Sequence, residues 1–383
     1  MTGGEAKGRG PLSGIRILEV GHMLAGPYCG MVLADLGAEV IKIEPASGDI
    51  GRSVSPHAIG PHNLYFASLN RSKKSVCLDL ASADGQQQLH RLAASSHALI
   101  TNLRPKAIRK LGLTYAALKA ANAKLVCLAL TGYGLEGAYA EHPAYDYVIQ
   151  ALTGVMALTG EPGGPPVKCG YSVVDNTTGL MGAVGLLAKI VEGRGGQLDV
   201  SLYDCMVSQL NYLAAGYLNA GERPRRQAGG GHPYIVPAQL FATADGHLAL
   251  FISHDGFWRD FCAEVGRPEW AEDARFATMR ARAENRDAVT DAVSTLLAER
   301  PTAQWVEKLA PKGIVIAGVE ELGDALESDL TASRRMVVSV PTPDGPLRLI
   351  GDPIKIDGRA SAYGPPPLLG EHSTELLEEL ETA

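Results

Sequence analysis

The sequence predicts an α/β protein, with a large domain built on a doubly wound, mostly parallel sheet and a small α+β domain after it. Three observations carry this expectation. Short apolar segments alternate with helix-like segments over roughly the first 200 residues. A flexible run, Gln227-Ala228-Gly229-Gly230-Gly231-His232-Pro233, then marks a change of texture. Beyond it the pattern is hairpin-like, with Ala244-Asp245-Gly246 and Pro343-Asp344-Gly345 as turns. The large domain is expected over 1–224 and the small one over 225–330.

The elements follow in order. Residues 15–20 read as the first strand, after the turn at Ser13-Gly14. Gly26-Pro27 opens a helix through Leu36, with Pro near its first position and Gly37 past its end. Strands follow at 39–43, 75–80 and 98–101, with a helix over 83–95. A helix pair covers 105–121, and 124–130 is a strand again. Residues 176–193 and 203–219 read as two long apolar helices around a strand at 197–202. In the small domain, strands 239–243 and 247–253 precede helices at 255–265, 286–299 and 302–310. Strands 336–340 and 347–350 make a second hairpin. Sheets of this rhythm bind ligands beyond the strand carboxyl ends. The loops after Val20, Ile43, Leu80, Thr101 and Leu130 are therefore the ones to watch.

Composition excludes several classes. A chain of 383 residues exceeds one ordinary core and suggests two domains. The net charge of −7, with basic residues dispersed apart from Arg223-Pro224-Arg225-Arg226, gives no reason to expect nucleic acid. Six scattered cysteines form no metal-ligand spacing, so no metal is expected, and their use fits a reducing, cytoplasmic setting. No signal-peptide core stands in the first ten residues, and no apolar run reaches the roughly 18 residues of a membrane span. The first strand runs into Gly21-His22-Met23-Leu24-Ala25-Gly26-Pro27, which is not GxGxxG, so a nicotinamide enzyme is disfavoured.

Residues 160–180 are the most informative stretch. A Gly/Pro-rich turn leads through a short apolar segment to Asp175, and then to a long apolar helix. A carboxylate at a helix start meets unpaired backbone N–H groups that favour negative charge. Asp175 reads either as a plain N-cap or as a positioned nucleophile. The run Gly229-Gly230-Gly231 reads either as a linker or as a place where backbone approaches a ligand.

Several blocks stand in order along the chain: Leu12-Ser13-Gly14-Ile15-Arg16-Ile17-Leu18-Glu19 with Ala25-Gly26-Pro27; Leu36-Gly37-Ala38-Glu39-Val40-Ile41-Lys42-Ile43-Glu44-Pro45 with Gly48-Asp49; Asn70-Arg71-Ser72-Lys73-Lys74-Ser75 with Leu78-Asp79-Leu80; Asn102-Leu103-Arg104-Pro105 with Leu111-Gly112-Leu113; the Asp175 segment; and Asp199-Val200-Ser201-Leu202. On these blocks the chain resembles the class III CoA-transferase (CaiB/BaiF) family along nearly its whole length. That family includes formyl-CoA transferase-like enzymes and is related to α-methylacyl-CoA racemase.

The resemblance implies a Rossmann-like large domain, an interlocked homodimer, and a segment 331–383 that returns to complete the large domain. It implies Asp175 as the nucleophile that forms an anhydride and then an aspartyl-CoA thioester. Gly229, Gly230 and Gly231 would cover the intermediate, and Tyr145 would line the acyl site. Coenzyme A would be substrate and product, with no tightly bound cofactor; the partners would be an acyl-CoA and a small carboxylate acceptor. CoA contacts would come from Met23, Leu24, Leu78, Asp79, Leu80, Asn102, Leu103, Arg104, Lys110 and Asp146.

Pro45 stands where some relatives place a basic nucleotide contact; Arg52 or Lys42 are candidate replacements, although Lys42 also reads as a solvent-facing strand residue. The racemase branch would use a Gly-His-Asp triplet. Here the triplet is Ala144-Tyr145-Asp146, the transferase form, and His142 does not match the racemase His. A CoA-binding protein without catalysis is the third reading. His232, His254, Arg225 and Arg226 are candidates for holding a second carboxylate of the acceptor, for which a short dicarboxylate is expected, with succinyl-CoA as donor.

Overall fold

The computed structural model describes residues 10–358 and 362–382. Six strands form the main sheet: β1 (Arg16–Val20), β2 (Glu39–Glu44), β3 (Lys74–Cys77), β4 (Ala98–Thr101), β5 (Val126–Thr131) and β6 (Gly196–Ser201). Their spatial order is β3-β2-β1-β4-β5-β6, and every neighbouring pair is parallel. This is the doubly wound order in which the chain reverses direction across the sheet between β1 and β4.

The inner strands read as apolar runs because both faces are covered. On one face Leu18, Ile41 and Leu99 are buried with Leu89 and Leu92 of α3 (Ala83–Ala94). On the other, Ile17, Val40 and Leu128 are buried with Leu33 of α1 (Ala25–Asp35) and Leu186 of the 20-residue helix Val173–Glu192.

Two compact units divide the chain. The first comprises Met1–Thr153, Gly170–Leu210 and Ser328–Ala383; the second comprises Gly154–Cys169 and Asn211–Glu327. Segment 154–169 joins the second unit because Arg226 donates to the carbonyls of Ala157 at 2.9 Å, Glu161 at 3.3 Å, Gly164 at 2.7 Å and Pro165 at 2.9 Å. The expected single helix over 203–219 is two helices, Leu202–Ser208 and Asn211–Ala220, and the unit boundary falls in the break. At that break the Asn211 side chain accepts from the Tyr212 N–H, a local bond that starts a new helix.

The second unit carries a three-stranded antiparallel sheet, β7 (Ala238–Ala242), β8 (His247–Phe251) and β9 (Val315–Gly318), in the order β9-β8-β7. Its core gathers Trp258, Phe261, Phe276, Val293 and Trp305 beneath that sheet. The hairpin β10 (Val337–Val340) and β11 (Leu347–Ile350) belongs to the first unit. It packs Val340, Leu347 and Leu349 on Ala67 of the helix Leu64–Asn70. That helix was not expected from sequence: it is only seven residues long, and it packs on α1 as well as on the hairpin far along the chain.

Candidate active site

The carboxyl ends of β1, β2 and β3 and the loop after β4 surround a cavity of about 630 Å³. Val20 to Met23, Ile43 to Pro45, Leu78 to Ala81, and Leu103 form its wall, with Asp49 and Tyr145 at the side. This is the location that the strand order requires. Among the described residues lining it there is neither Lys nor Arg.

A chain of buried charges shapes this wall. Lys42 Nζ contacts Glu19 Oε1 at 2.9 Å and Asp49 Oδ2 at 2.9 Å, and all three side chains are essentially sealed from solvent. Lys73 Nζ contacts the other Glu19 oxygen at 2.7 Å. Burial opposes the charge of Lys42, but Glu19, Asp49 and Glu44 outweigh it and push its pKa up to about 12. Burial likewise disfavours the Glu19 carboxylate, and the two lysines reverse the effect, holding its pKa below the usual range. Asp49 also accepts from the N–H groups of Gly51 at 2.8 Å and Met23 at 3.2 Å, which holds Met23 at a φ of 62°.

Two expectations are thereby corrected. Lys42 does not face solvent, and its ammonium is spent inside the protein. Arg52 pairs with Glu44 at 2.6 Å and lies 3.8 Å from the centre of the Phe66 ring, so its charge is committed as well. Neither cation lines the cavity where Pro45 stands.

Of the residues expected to meet CoA, Met23, Leu78, Asp79, Leu80 and Leu103 line this one cavity, and Tyr145 joins them. Leu24, Asn102, Arg104 and Lys110 do not line it. Leu24 is the residue before α1, where no side chain caps the helix. Asn102 works one step removed: its amide accepts from the His22 N–H at 3.0 Å and donates to the His22 carbonyl at 2.8 Å. Arg104 and Lys110 are exposed at the two ends of the helix Pro105–Lys110. The Asp146 carboxylate is taken up by the Gln150 amide at 2.6 Å and the Val174 N–H at 2.8 Å. It anchors the start of the 20-residue helix, and both of its oxygens are engaged within the protein.

Asp175 is the third residue of that helix. The N-cap reading is overturned: Ser172 holds the cap position, and no side chain makes a capping bond there. The carboxylate is half-buried, and among the described residues it has no cation or hydrogen-bond partner. Burial, and then the nearby negative charge of Asp146, push its pKa up to about 7. Tyr65 senses the same carboxylate; burial first, then Asp175 and Asp49, push its phenol up to about 12. Gly229 and Gly230 lie in the second unit at φ values of 62° and 64°, the left-handed region that glycine occupies without strain. The Gly229 N–H donates to Glu161 at 3.0 Å.

Sequence reasoning missed His22, Asp49 and Tyr65. His22 lines the cavity with its Nδ1 buried and unpartnered among the described residues, and burial holds its pKa below the usual value. The only signal was position: His22 stands in the loop after the first strand and Asp49 in the Gly48-Asp49 block, with no chemistry attached to either.

The strand order is that of an α/β protein of Rossmann-like topology, with a cavity beyond the carboxyl ends of its strands. The family model of CoA-transferase family III matches residues 12–373. The chain is similar to the succinate–glutarate CoA-transferase of Agrobacterium fabrum, at 33% identity over 97% of this chain and 96% of that one. It is similar to the acetyl-CoA:oxalate CoA-transferase of Acetobacter aceti, at 31% identity over 98% and 97% of the two chains. The crystal structure of a CaiB/BaiF family protein from Brucella suis superposes with a TM-score of 0.84 at 32% identity, covering 97% of this chain and 99% of that one. The chain belongs to CoA-transferase family III and is an enzyme of that class.

Proposed function

We propose that the protein moves CoA from an acyl-CoA, with succinyl-CoA as donor, to a short dicarboxylic acid through covalent intermediates on Asp175. The observation that carries this reading is the state of Asp175: a half-buried carboxyl at a helix start, free of cations, with its pKa raised to about 7. A structural carboxylate is normally paired or hydrogen-bonded, whereas one left unpaired and poised near neutrality is available to react.

The steps follow from the group's chemistry. The Asp175 carboxylate attacks the thioester carbonyl and expels CoA thiolate, leaving an acyl-aspartyl anhydride. The thiolate attacks the aspartyl carbonyl of the anhydride, forming an aspartyl-CoA thioester and freeing the donor acid. The acceptor carboxylate repeats the exchange in reverse: it expels the thiolate to form a second anhydride, and the thiolate then takes the new acyl group and restores Asp175. Splitting one transfer in this way lowers each barrier, and the anhydride demands exclusion of water. Tyr145 on the cavity wall supports a place for the acyl-bearing arm of CoA, and Gly229 to Gly231 are the donors we assign to covering the intermediate. Relatives named for succinate, glutarate and oxalate support the short dicarboxylate.

The interlocked homodimer is part of this reading. It is supported by apolar side chains left exposed on the single chain: Leu180, Met181, Val184 and Val191 on the long helix, and Tyr212, Tyr217 and Leu218 on Asn211–Ala220.

Incubation with succinyl-CoA, acid quench and peptide mapping tests the mechanism. A hydroxylamine-sensitive adduct on Asp175 is expected. The Asp175→Ala variant should fold, bind CoA and lose transfer by about a thousandfold or more; full activity in that variant sinks the proposal.

A further inference from the structure

The loop between β1 and α1 forms part of the wall of the 630 Å³ cavity, and side chains from other parts of the first unit hold its backbone. The Gly21 carbonyl accepts from Lys42 Nζ at 3.0 Å. The His22 N–H donates to Asn102 Oδ1 at 3.0 Å, and the His22 carbonyl accepts from the same amide at 2.8 Å. The Met23 N–H donates to Asp49 Oδ1 at 3.2 Å. Every backbone polar group from the Gly21 carbonyl to the Met23 N–H is thus taken by a side chain, where an ordinary surface loop would leave such groups to water. The holders stand on β2, after β2 and after β4.

This arrangement carries a cost. Met23 sits at a φ of 62°, the left-handed region, although it is neither Gly, Asn nor Asp. Strained backbone persists where its surroundings over-determine it, and it clusters at ligand sites. The chain also keeps room for the holder. A Cβ at Gly21 would stand 2.3 Å from Asn102 Oδ1, and one at Gly26 would stand 3.0 Å from Asn102 Cγ. The core gains little from the kink, because His22 and Met23 are only half-buried. The cavity gains both residues on its wall.

We propose that Asn102 and Asp49 are positioning residues for CoA: acting through the backbone of Gly21 to Met23, they hold the loop after β1 in the shape that receives the ligand. The inference rests on the reading that this cavity takes CoA.

The test titrates free CoA calorimetrically into the wild type and variants, and follows Asp175 adduct formation over a range of succinyl-CoA concentrations. Asn102→Leu, which is close in size and lacks both hydrogen bonds, should weaken CoA roughly tenfold. It should raise the half-saturating succinyl-CoA concentration by the same factor and leave the saturated rate unchanged. Gly21→Ala displaces the amide from the other side and should copy that loss. The double variant should be no weaker than either single one, since both remove the same contact. Asp49→Asn and Asp49→Ala both discharge the partner of Lys42, but only the amide keeps an oxygen for the Met23 N–H. Asn should therefore retain CoA affinity that Ala loses.

Urea unfolding identifies the folded variants, and if Asn102→Leu does not fold, the Asp49 pair decides. A folded Asn102→Leu with wild-type CoA affinity overturns the proposal. So do losses that add in the double variant, a saturated rate that falls at unchanged half-saturation, or equal CoA affinity in the two Asp49 variants. Absence of the Asp175 adduct in the wild type strikes the covalent reading, whereas the titration of free CoA judges the positioning residues by itself.

Discussion

Asp175 differs from the other buried carboxyls of the first unit in what surrounds it. Glu19 and Asp49 have lysine partners that keep their pKa values low; Asp175 has burial and Asp146, and both act to raise its pKa to about 7. Two consequences belong to this scale. Adduct formation from succinyl-CoA should rise about tenfold per pH unit below 7 and level off above it, because only the ionised group attacks. Asp146→Asn removes one of the two causes, so the midpoint of that profile should move to lower pH, as rapid-quench mass spectrometry at several pH values would show; an unmoved midpoint contradicts the assignment. The linkage sign agrees: a folded pKa above the unfolded carboxyl value of about 3.9 means the stability contribution is complete at acid pH and is lost as pH rises through about 7. The residue was visible in the sequence as an acid at a helix start. Its freedom from partners was not, since that depends on what the chain brings near it from Tyr65 and Asp146.

At the scale of elements, α1 shows why a helix can prefer glycine. A Cβ at Gly30 would stand 2.0 Å from Glu19 Oε2 and 3.3 Å from Lys73 Nζ. The helix therefore passes directly over the buried charge cluster, and Gly30 leaves the room the carboxylate occupies. Gly30→Ala should gain about 1 kcal/mol of intrinsic helix preference yet lose more by displacing Glu19 from its lysines. A net loss of about 1–3 kcal/mol is expected in urea unfolding followed by far-UV circular dichroism; a stabilised variant would show that the cluster yields without strain. Breaking the cluster from the other side, Lys42→Met leaves Glu19 and Asp49 under-compensated and should cost about 3–5 kcal/mol in the same assay. The strand carrying Lys42 was legible from its short apolar segment and its place in the βα rhythm. The direction of Lys42 was misread, because a lysine on a strand usually reaches water and only the Glu19 and Asp49 side chains make its burial favourable.

For the whole molecule, the apolar residues left exposed on the single chain make self-association the expected state. Val184 is 64% exposed and Val191 88%, on a helix whose opposite face is buried in the core. Sedimentation should return about twice the 40.4 kDa chain mass. Val184→Glu should shift the protein toward monomer and lower transfer with it; a monomeric, fully active wild type would remove the homodimer from the functional reading. The division into units also bears on what was legible. The βα rhythm announced the sheet, and the hairpin turns announced the smaller unit. The capture of segment 154–169 by Arg226 could not be read, because it depends on one side chain meeting four carbonyls more than sixty positions away.

The sequence by itself determined the doubly wound sheet, since strands buried on both faces are predominantly apolar and alternate with helix-like segments that cover them. It also determined the family, through blocks whose order is specific, and it pointed to Asp175 and to six of the residues that line the cavity: Met23, Leu78, Asp79, Leu80, Leu103 and Tyr145. Only the tertiary structure decided which charges are spent and which are free. Lys42, Arg52, Arg226 and Asp146 are consumed by partners between four and more than sixty positions away, while Asp175, Arg223 and Arg225 are left without any among the described residues. Hydrogen-bond satisfaction is a property of three-dimensional neighbours, and no local pattern along the chain encodes it.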